Sequence, residues 1–162
     1  MKRLLTGLFL ACILAFAAPP AHGQTHGIGV GASIGEPTGI HAKAWLDERR
    51  ALTGATTFRV GDSRSFLLLQ GNVVVHRFDI VEVESGTLAP YYGGGLTLQL
   101  SDRPGPDEDV RFDVGLRAPV GLNYMVPASP VDIFIELAPA IQATDPVLLT
   151  LEGGLGVRLF FE

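Results

Sequence analysis

The sequence predicts an all-β protein, an eight-stranded antiparallel up-and-down transmembrane β-barrel. Three observations carry that expectation. Stretch after stretch alternates apolar residues with polar or small ones at strand period, which sends successive side chains to opposite faces of a sheet. After the N-terminus no stretch reads as a spanning helix, although 47% of residues are hydrophobic, only 18% are charged and the mean hydropathy is +0.31. Charges of both signs share the polar face with many glycines, opposite the aliphatic face. A soluble barrel turns its apolar face inward and a bilayer barrel turns it outward. The second arrangement explains the glycines, because bulky neighbours need room inside a narrow barrel, whereas glycines on a solvent face weaken strands without a packing reason.

The chain begins with a leader. Lys2 and Arg3 precede an apolar run from Leu4 to Ala18, then Pro19-Pro20 and the small-residue site Ala21-His22-Gly23. This is the pattern of a secretory signal peptide over residues 1–23, with the mature domain at 24–162. The run falls short of the roughly 20 residues of a spanning helix. Cys12, the only cysteine, lies inside it, so the expected mature chain has no disulfide and no thiol chemistry. The 12 basic side chains less Lys2 and Arg3 leave 10 against 17 acidic ones, a balance that disfavours nucleic acid as a partner.

The first strand is Gly27 to Ile34, with Ile28, Val30, Ala32 and Ile34 on one face, and Gly35-Glu36-Pro37-Thr38 turns it round. The second, Gly39 to Leu46, sets Ile40, Ala42, Ala44 and Leu46 against His41, Lys43 and Trp45. Asp47-Glu48-Arg49-Arg50 reads as a solvated turn rather than a helix start, because Thr53, Gly54, Thr56 and Thr57 follow it and are poor helix formers. Strand three covers Ala51 to Val60; after the loop at 61–65, strand four covers Phe66 to Arg77 with its faces less cleanly separated. An acidic connection, Phe78 to Thr87, leads to the fifth strand, Leu88 to Leu100. The polar loop Ser101 to Asp109 then opens the longest alternation in the chain, Val110 to Val126, which spans about 56 Å if unbroken. Its even positions are apolar, and its odd positions include Arg111, Asp113, Gly115, Arg117, Gly121 and Asn123. Pro119 within it, like Pro90 and Pro139 in the fifth and seventh strands, removes a ladder donor and calls for a bulge or a strand end. Pro127 to Pro130 is a turn, Val131 to Ile141 the seventh strand, Ala143 to Pro146 the last turn, and Val147 to Phe161 the eighth strand.

With the polar face inward, Lys43, Arg117, Glu136, Glu152 and Arg158 are expected to form an interior ion network that plugs the barrel, since eight strands leave little room beyond the side chains themselves. In the last strand Gly156, Leu159 and Phe161 reproduce the spacing of the C-terminal assembly signal of outer-membrane barrels: a glycine, an apolar residue three on, an aromatic two further. Glu162 follows the aromatic, whereas such strands usually end on it. On these residues, together with the leader, the cysteine-free mature chain and the eight strands, the chain resembles small barrels of the OmpA-like outer-membrane superfamily. The resemblance implies export through the periplasm to the bacterial outer membrane and a monomer in contact with outer-membrane lipid and lipopolysaccharide. It also implies recognition by the barrel-assembly machinery, and a structural or surface-interaction role without catalysis.

Two other readings stay open: a soluble periplasmic barrel that binds a lipophilic ligand inside, and a lipid A-modifying enzyme. Some small outer-membrane barrels carry out acyl transfer with a histidine, a serine and an acid. Here Ala-Lys follows His41 and Arg-Phe follows His76, with no serine two residues on. A lone histidine lacks the oriented acid and nucleophile that such chemistry requires, so both are expected to line the barrel or its rim. Asp102, Asp107, Glu108 and Asp109 lack EF-hand spacing and read as a solvated loop. No metal or cofactor residue is assigned.

Overall fold

The computed structural model describes residues 25–59, 66–102, 110–143 and 147–161. The expected leader with Cys12, Gln24 and most of the acidic loop lie outside the described residues. The strands are β1 (Ile28–Glu36), β2 (Gly39–Trp45), β3 (Arg50–Arg59), β4 (Phe66–His76), β5 (Thr87–Asp102), β6 (Val110–Arg117), β7 (Val120–Met125), β8 (Val131–Gln142) and β9 (Leu148–Phe161). Every pairing is antiparallel, and the order β4-β3-β2-β1-β9-β8-β6-β5 closes through β4 on β5, with β7 between β5 and β8 below β6. β6 and β7 therefore share one position, and the ring has eight.

The stretch expected as a single strand over 110–126 is interrupted at Ala118-Pro119 without any change of register. Gly95 pairs with Arg117 and Tyr92 with Val120, so two residues separate the pairs on each strand. The same holds against β8, where Arg117 pairs with Ala140 and Val120 with Leu137. Pro119 stands in line with its side chain fully buried, and its carbonyl accepts the Gly93 N–H at 2.9 Å. It has no N–H to return to Gly93. On the other seam Ala118 N–H donates to the Pro139 carbonyl at 3.0 Å, and Pro139 has no donor either. Two adjacent missing donors interrupt the ladder while the alternation continues through them, so no bulge is needed. Pro90 sits at the edge of the ladder, its carbonyl accepting Arg77 N–H just past the end of β4 at 2.8 Å.

The alternation sorts the faces. Outward-pointing Ile40, Leu52, Leu96, Leu116, Leu137 and Val157 are exposed, while inward-pointing Lys43, Asn123, Asp132 and Arg158 are buried. In β4 the inward row is Leu68, Gln70, Asn72 and Val74, all buried, which is why the two faces of this strand blur in the sequence. Large inward side chains stand opposite glycines across the seams: Arg158 opposite Gly31, Phe134 opposite Gly156, Tyr91 opposite Gly121, and Glu136 between Gly121 and Gly154. A Cβ on Gly156 would lie 2.4 Å from the Phe134 ring, and one on Gly121 would lie 2.6 Å from Tyr91. The interior is filled at this density because the barrel is narrow.

The start of β1 at Ile28 and the end of β9 at Phe161 lie at one end of the barrel, the terminal end, with the connections at 46–49, 77–86 and 126–130; the turn at 37–38 is at the other. Asp47 organises the first of these connections. Its Oδ1 accepts the backbone N–H groups of Arg49 at 2.9 Å and Arg50 at 2.7 Å, and these bonds hold its carboxyl down to about 2.

Candidate functional site

The polar interior divides into two clusters stacked along the barrel. In the first, Arg117 of β6 donates from Nη2 to Glu136 Oε1 of β8 at 3.0 Å, and its Nε lies 3.1 Å from Glu152 Oε2 of β9. The second contact is an ion pair without an aligned hydrogen bond, since Arg117 Nε has no well-directed acceptor. Neutral groups complete the cluster. Gln70 Nε2 donates to Glu152 at 2.8 Å, Tyr91 Oη donates to Glu136 at 2.7 Å, and Asn72 Oδ1 accepts from Arg117 Nη1 at 3.2 Å.

The second cluster lies nearer the terminal end and centres on Asp132 of β8. Arg158 faces it directly across the β8–β9 seam and grips it with Nε at 2.8 Å and Nη2 at 3.2 Å. From across the barrel Lys43 Nζ of β2 reaches the same carboxylate at 3.4 Å. Lys43 also donates to Asn123 Oδ1 and lies 3.0 Å from His76 Nε2. Asn123 Oδ1 in turn accepts from Arg158 Nη2 at 3.3 Å. Aromatic rings take up the remaining charge-bearing surfaces: Lys43 Nζ stands 4.0 Å over Trp45, and the Arg158 guanidinium 4.1 Å over Phe134.

Across both clusters Lys43, Arg117 and Arg158 meet Asp132, Glu136 and Glu152, three cations against three carboxylates, each at least nine-tenths buried. Sequence reasoning grouped Arg117, Glu136, Arg158 and Glu152 on one surface. The structure pairs Arg117 with both glutamates but gives Arg158 to Asp132, and among the described residues no ion pair joins the two clusters. Asp132, Gln70, Asn72, Tyr91 and Asn123 were missed as members. Asp132 was legible as an inward acid; the neutral ones carried only the signal of a polar residue at an inward position.

Between the clusters His41 rests against Phe134 at 4.9 Å, with its Nδ1 unpartnered. The space left among His41, Gln70, Arg117, Glu136 and Glu152 is about 20 Å³, enough for about one water. At the terminal end the aromatics form a floor. His76 has Trp45 at 4.5 Å, Tyr91 at 5.3 Å and Phe78, from the connection after β4, at 6.1 Å. In β9 Gly156 points inward beneath Phe134, Leu159 is half-buried opposite Val30, and Phe161 is exposed opposite Ile28.

No protein-family model matches the chain, and no curated protein is significantly similar to it in sequence. Solved structures are similar to it in fold. The N-terminal β-barrel domain of Pseudomonas aeruginosa OprF superposes with a TM-score of 0.57 at 17% identity, covering 83% of this chain and 95% of that domain. Neisserial surface protein A (NspA) superposes with a TM-score of 0.53 at 16% identity, covering 83% of this chain and 93% of that one. At such identities the likeness is one of fold, that of a small eight-stranded antiparallel barrel.

Proposed function

We propose that the protein is an integral outer-membrane barrel with a structural or surface-interaction role and no catalysis, closed by its own side chains rather than open as a pore. The inversion of faces carries this reading. A belt of exposed aliphatic side chains surrounds a charge-balanced, buried interior, which suits hydrocarbon outside and no bulk water within. The soluble alternative needs the opposite arrangement, an apolar interior able to take a lipophilic ligand. The enzyme alternative needs a histidine held by an acid beside a nucleophile; His41 packs on Phe134, while His76 contacts Lys43 and lies among aromatic rings.

Export belongs to the same proposal. The leader at 1–23 directs the chain to the periplasm, and Gly156, Leu159 and Phe161 are read by the barrel-assembly machinery, so that the terminal end faces the periplasm. Lipid and lipopolysaccharide of the outer membrane are then its surroundings. Cell fractionation and planar-bilayer recording test this together. The folded protein is expected in the outer-membrane fraction, released by detergent and heat-modifiable on a gel, and without large steady conductance. Recovery in the soluble periplasm, or a stable open channel, overturns it.

A further inference from the structure

The outer wall is not uniform. Across β5, β7 and β8 runs a groove of about 430 Å³, with Ile80, Pro90, Tyr92, Leu122 and Leu137 along it and Arg77 at its foot. The register explains its shape. Pro90 faces Leu122 across one seam and Leu122 faces Ile135 across the next, while the taller pairs Tyr92–Val120 and Val120–Leu137 stand beside them. The backbone beneath is paired on both sides of β7, under an apolar trough.

The foot has a different chemistry. Arg77 is the first residue after β4, and Asp79 binds it in two-pronged fashion, from Nε at 3.2 Å and Nη2 at 3.1 Å. Both side chains are exposed, and Arg77 also interacts with the Tyr92 side chain. Tyr92, half exposed beside them, has the amphipathic side chain suited to the boundary between hydrocarbon and headgroups. The turns around the foot hold Arg49, Arg50 and Arg77 together with Asp47, Glu48, Asp79, Glu82 and Glu84, three cations among five carboxylates. A purely anionic headgroup would meet net repulsion there. A headgroup with a phosphate and a primary ammonium matches the paired Arg77 and Asp79 sign for sign.

We propose that this groove is a binding site for one zwitterionic phospholipid of the phosphoethanolamine class, with its phosphate on Arg77, its ammonium on Asp79 and an acyl chain lying along Pro90, Leu122 and Leu137. The site rests on the outer-membrane reading and specifies which lipid the wall selects. A phospholipid reaches this foot from the periplasmic leaflet, the side on which that reading places the terminal end.

The test is native mass spectrometry of the folded protein released from nanodiscs that contain equal amounts of phosphatidylethanolamine, phosphatidylcholine and phosphatidylglycerol with identical chains. Wild type should retain one phosphatidylethanolamine over the other two by about tenfold, equivalent to about 1.4 kcal/mol. Arg77→Gln and Asp79→Asn, both exposed and outside the barrel wall, should each bring retention near parity. Leu122→Trp, which fills the trough, should lose all three lipids. Preferred retention of phosphatidylglycerol, equal retention of the two zwitterions by wild type, retention unchanged in the Arg77 and Asp79 variants, or a second copy of the protein seated there in place of lipid overturns the site. Failure of wild type to enter nanodiscs as a heat-modifiable barrel would instead overturn the outer-membrane reading.

Discussion

Asp132→Asn is the most informative single change. Asp132 is fully buried, and its carboxylate is the one anion in contact with both Arg158, at 2.8 and 3.2 Å, and Lys43, at 3.4 Å. An amide of the same size keeps the packing and removes the charge, leaving two buried cations without a counter-ion. Breaking a buried pair by removing one partner costs about 3 to 5 kcal/mol. The upper part of that range applies because Asp132, Lys43 and Arg158 are all nearly fully buried. Urea unfolding in detergent reads the loss, by far-ultraviolet circular dichroism and by the fluorescence of Trp45, the only tryptophan, whose ring lies 4.0 Å from Lys43 Nζ. Adding Lys43→Met removes one surplus cation, so the double variant should recover at least about 1 kcal/mol, within the usual coupling range of contacting residues. Asp79→Asn, at an exposed pair, should leave the midpoint where it is. A loss below about 1 kcal/mol for Asp132→Asn, or strictly additive effects of the two changes, would mean that the interior is hydrated and that the ion lattice does not hold the barrel.

Leu116→Arg, on the outer face, should cost about 2 to 4 kcal/mol near mid-depth, and a cysteine placed there should react with lipid-soluble reagents first; preferential aqueous labelling would reverse the faces. Gly156→Val places atoms against the Phe134 ring, where even a Cβ stands at 2.4 Å, and overpacking of this kind costs about 1 to 3 kcal/mol, with partial rescue by Phe134→Leu in the same unfolding assay. Asp47 is held at about 2, below an ordinary carboxylate, so the support it gives its turn is present at neutral pH and is lost only as pH falls toward that value. The amide resonances of Arg49 and Arg50 should titrate together with a midpoint near 2, and a midpoint near 4 would contradict the turn geometry. Mass spectrometry of the exported chain should find it beginning at or near Gln24, and retention of Leu4 to Ala18 would refute the leader.

The strands were legible because alternation is a local property. Each face of each strand can be read without knowing its neighbour, and even the interruption at Pro119 left the parity of Val110 to Val126 intact. What the sequence hides is closure. Asp132 and Arg158 become partners only once the β8–β9 register is fixed, and Lys43 joins them only when β2 is carried round to the far side of the ring. Formal charge drew attention to Arg117 and Glu136, whereas Gln70, Asn72 and Asn123 read as ordinary polar positions. In a narrow interior they are acceptors and donors that the charges depend on. Tyr91 reads as an ordinary aromatic of its strand, and its hydroxyl serves Glu136.

The same closure makes register the quantity that both faces defend. A slip of one residue in any strand exchanges its inner and outer side chains. For β9 it would turn Arg158 and Glu152 toward lipid and bring Leu155 and Val157 against the polar clusters. For β2 and β6 it would expose Lys43 and Arg117. Each of the three cations costs about 2 to 4 kcal/mol on the lipid face at mid-depth, and losing Arg117 leaves both Glu136 and Glu152 without a cation. The glycines add a steric guard, because Phe134, Tyr91 and Arg158 fit only where Gly156, Gly121 and Gly31 stand opposite. Two missing ladder donors at Pro119 and Pro139 can therefore be tolerated side by side. The alignment of β5, β7 and β8 is held by what the side chains require on either face, with the backbone bonds of Ala118 and Gly93 completing it rather than choosing it.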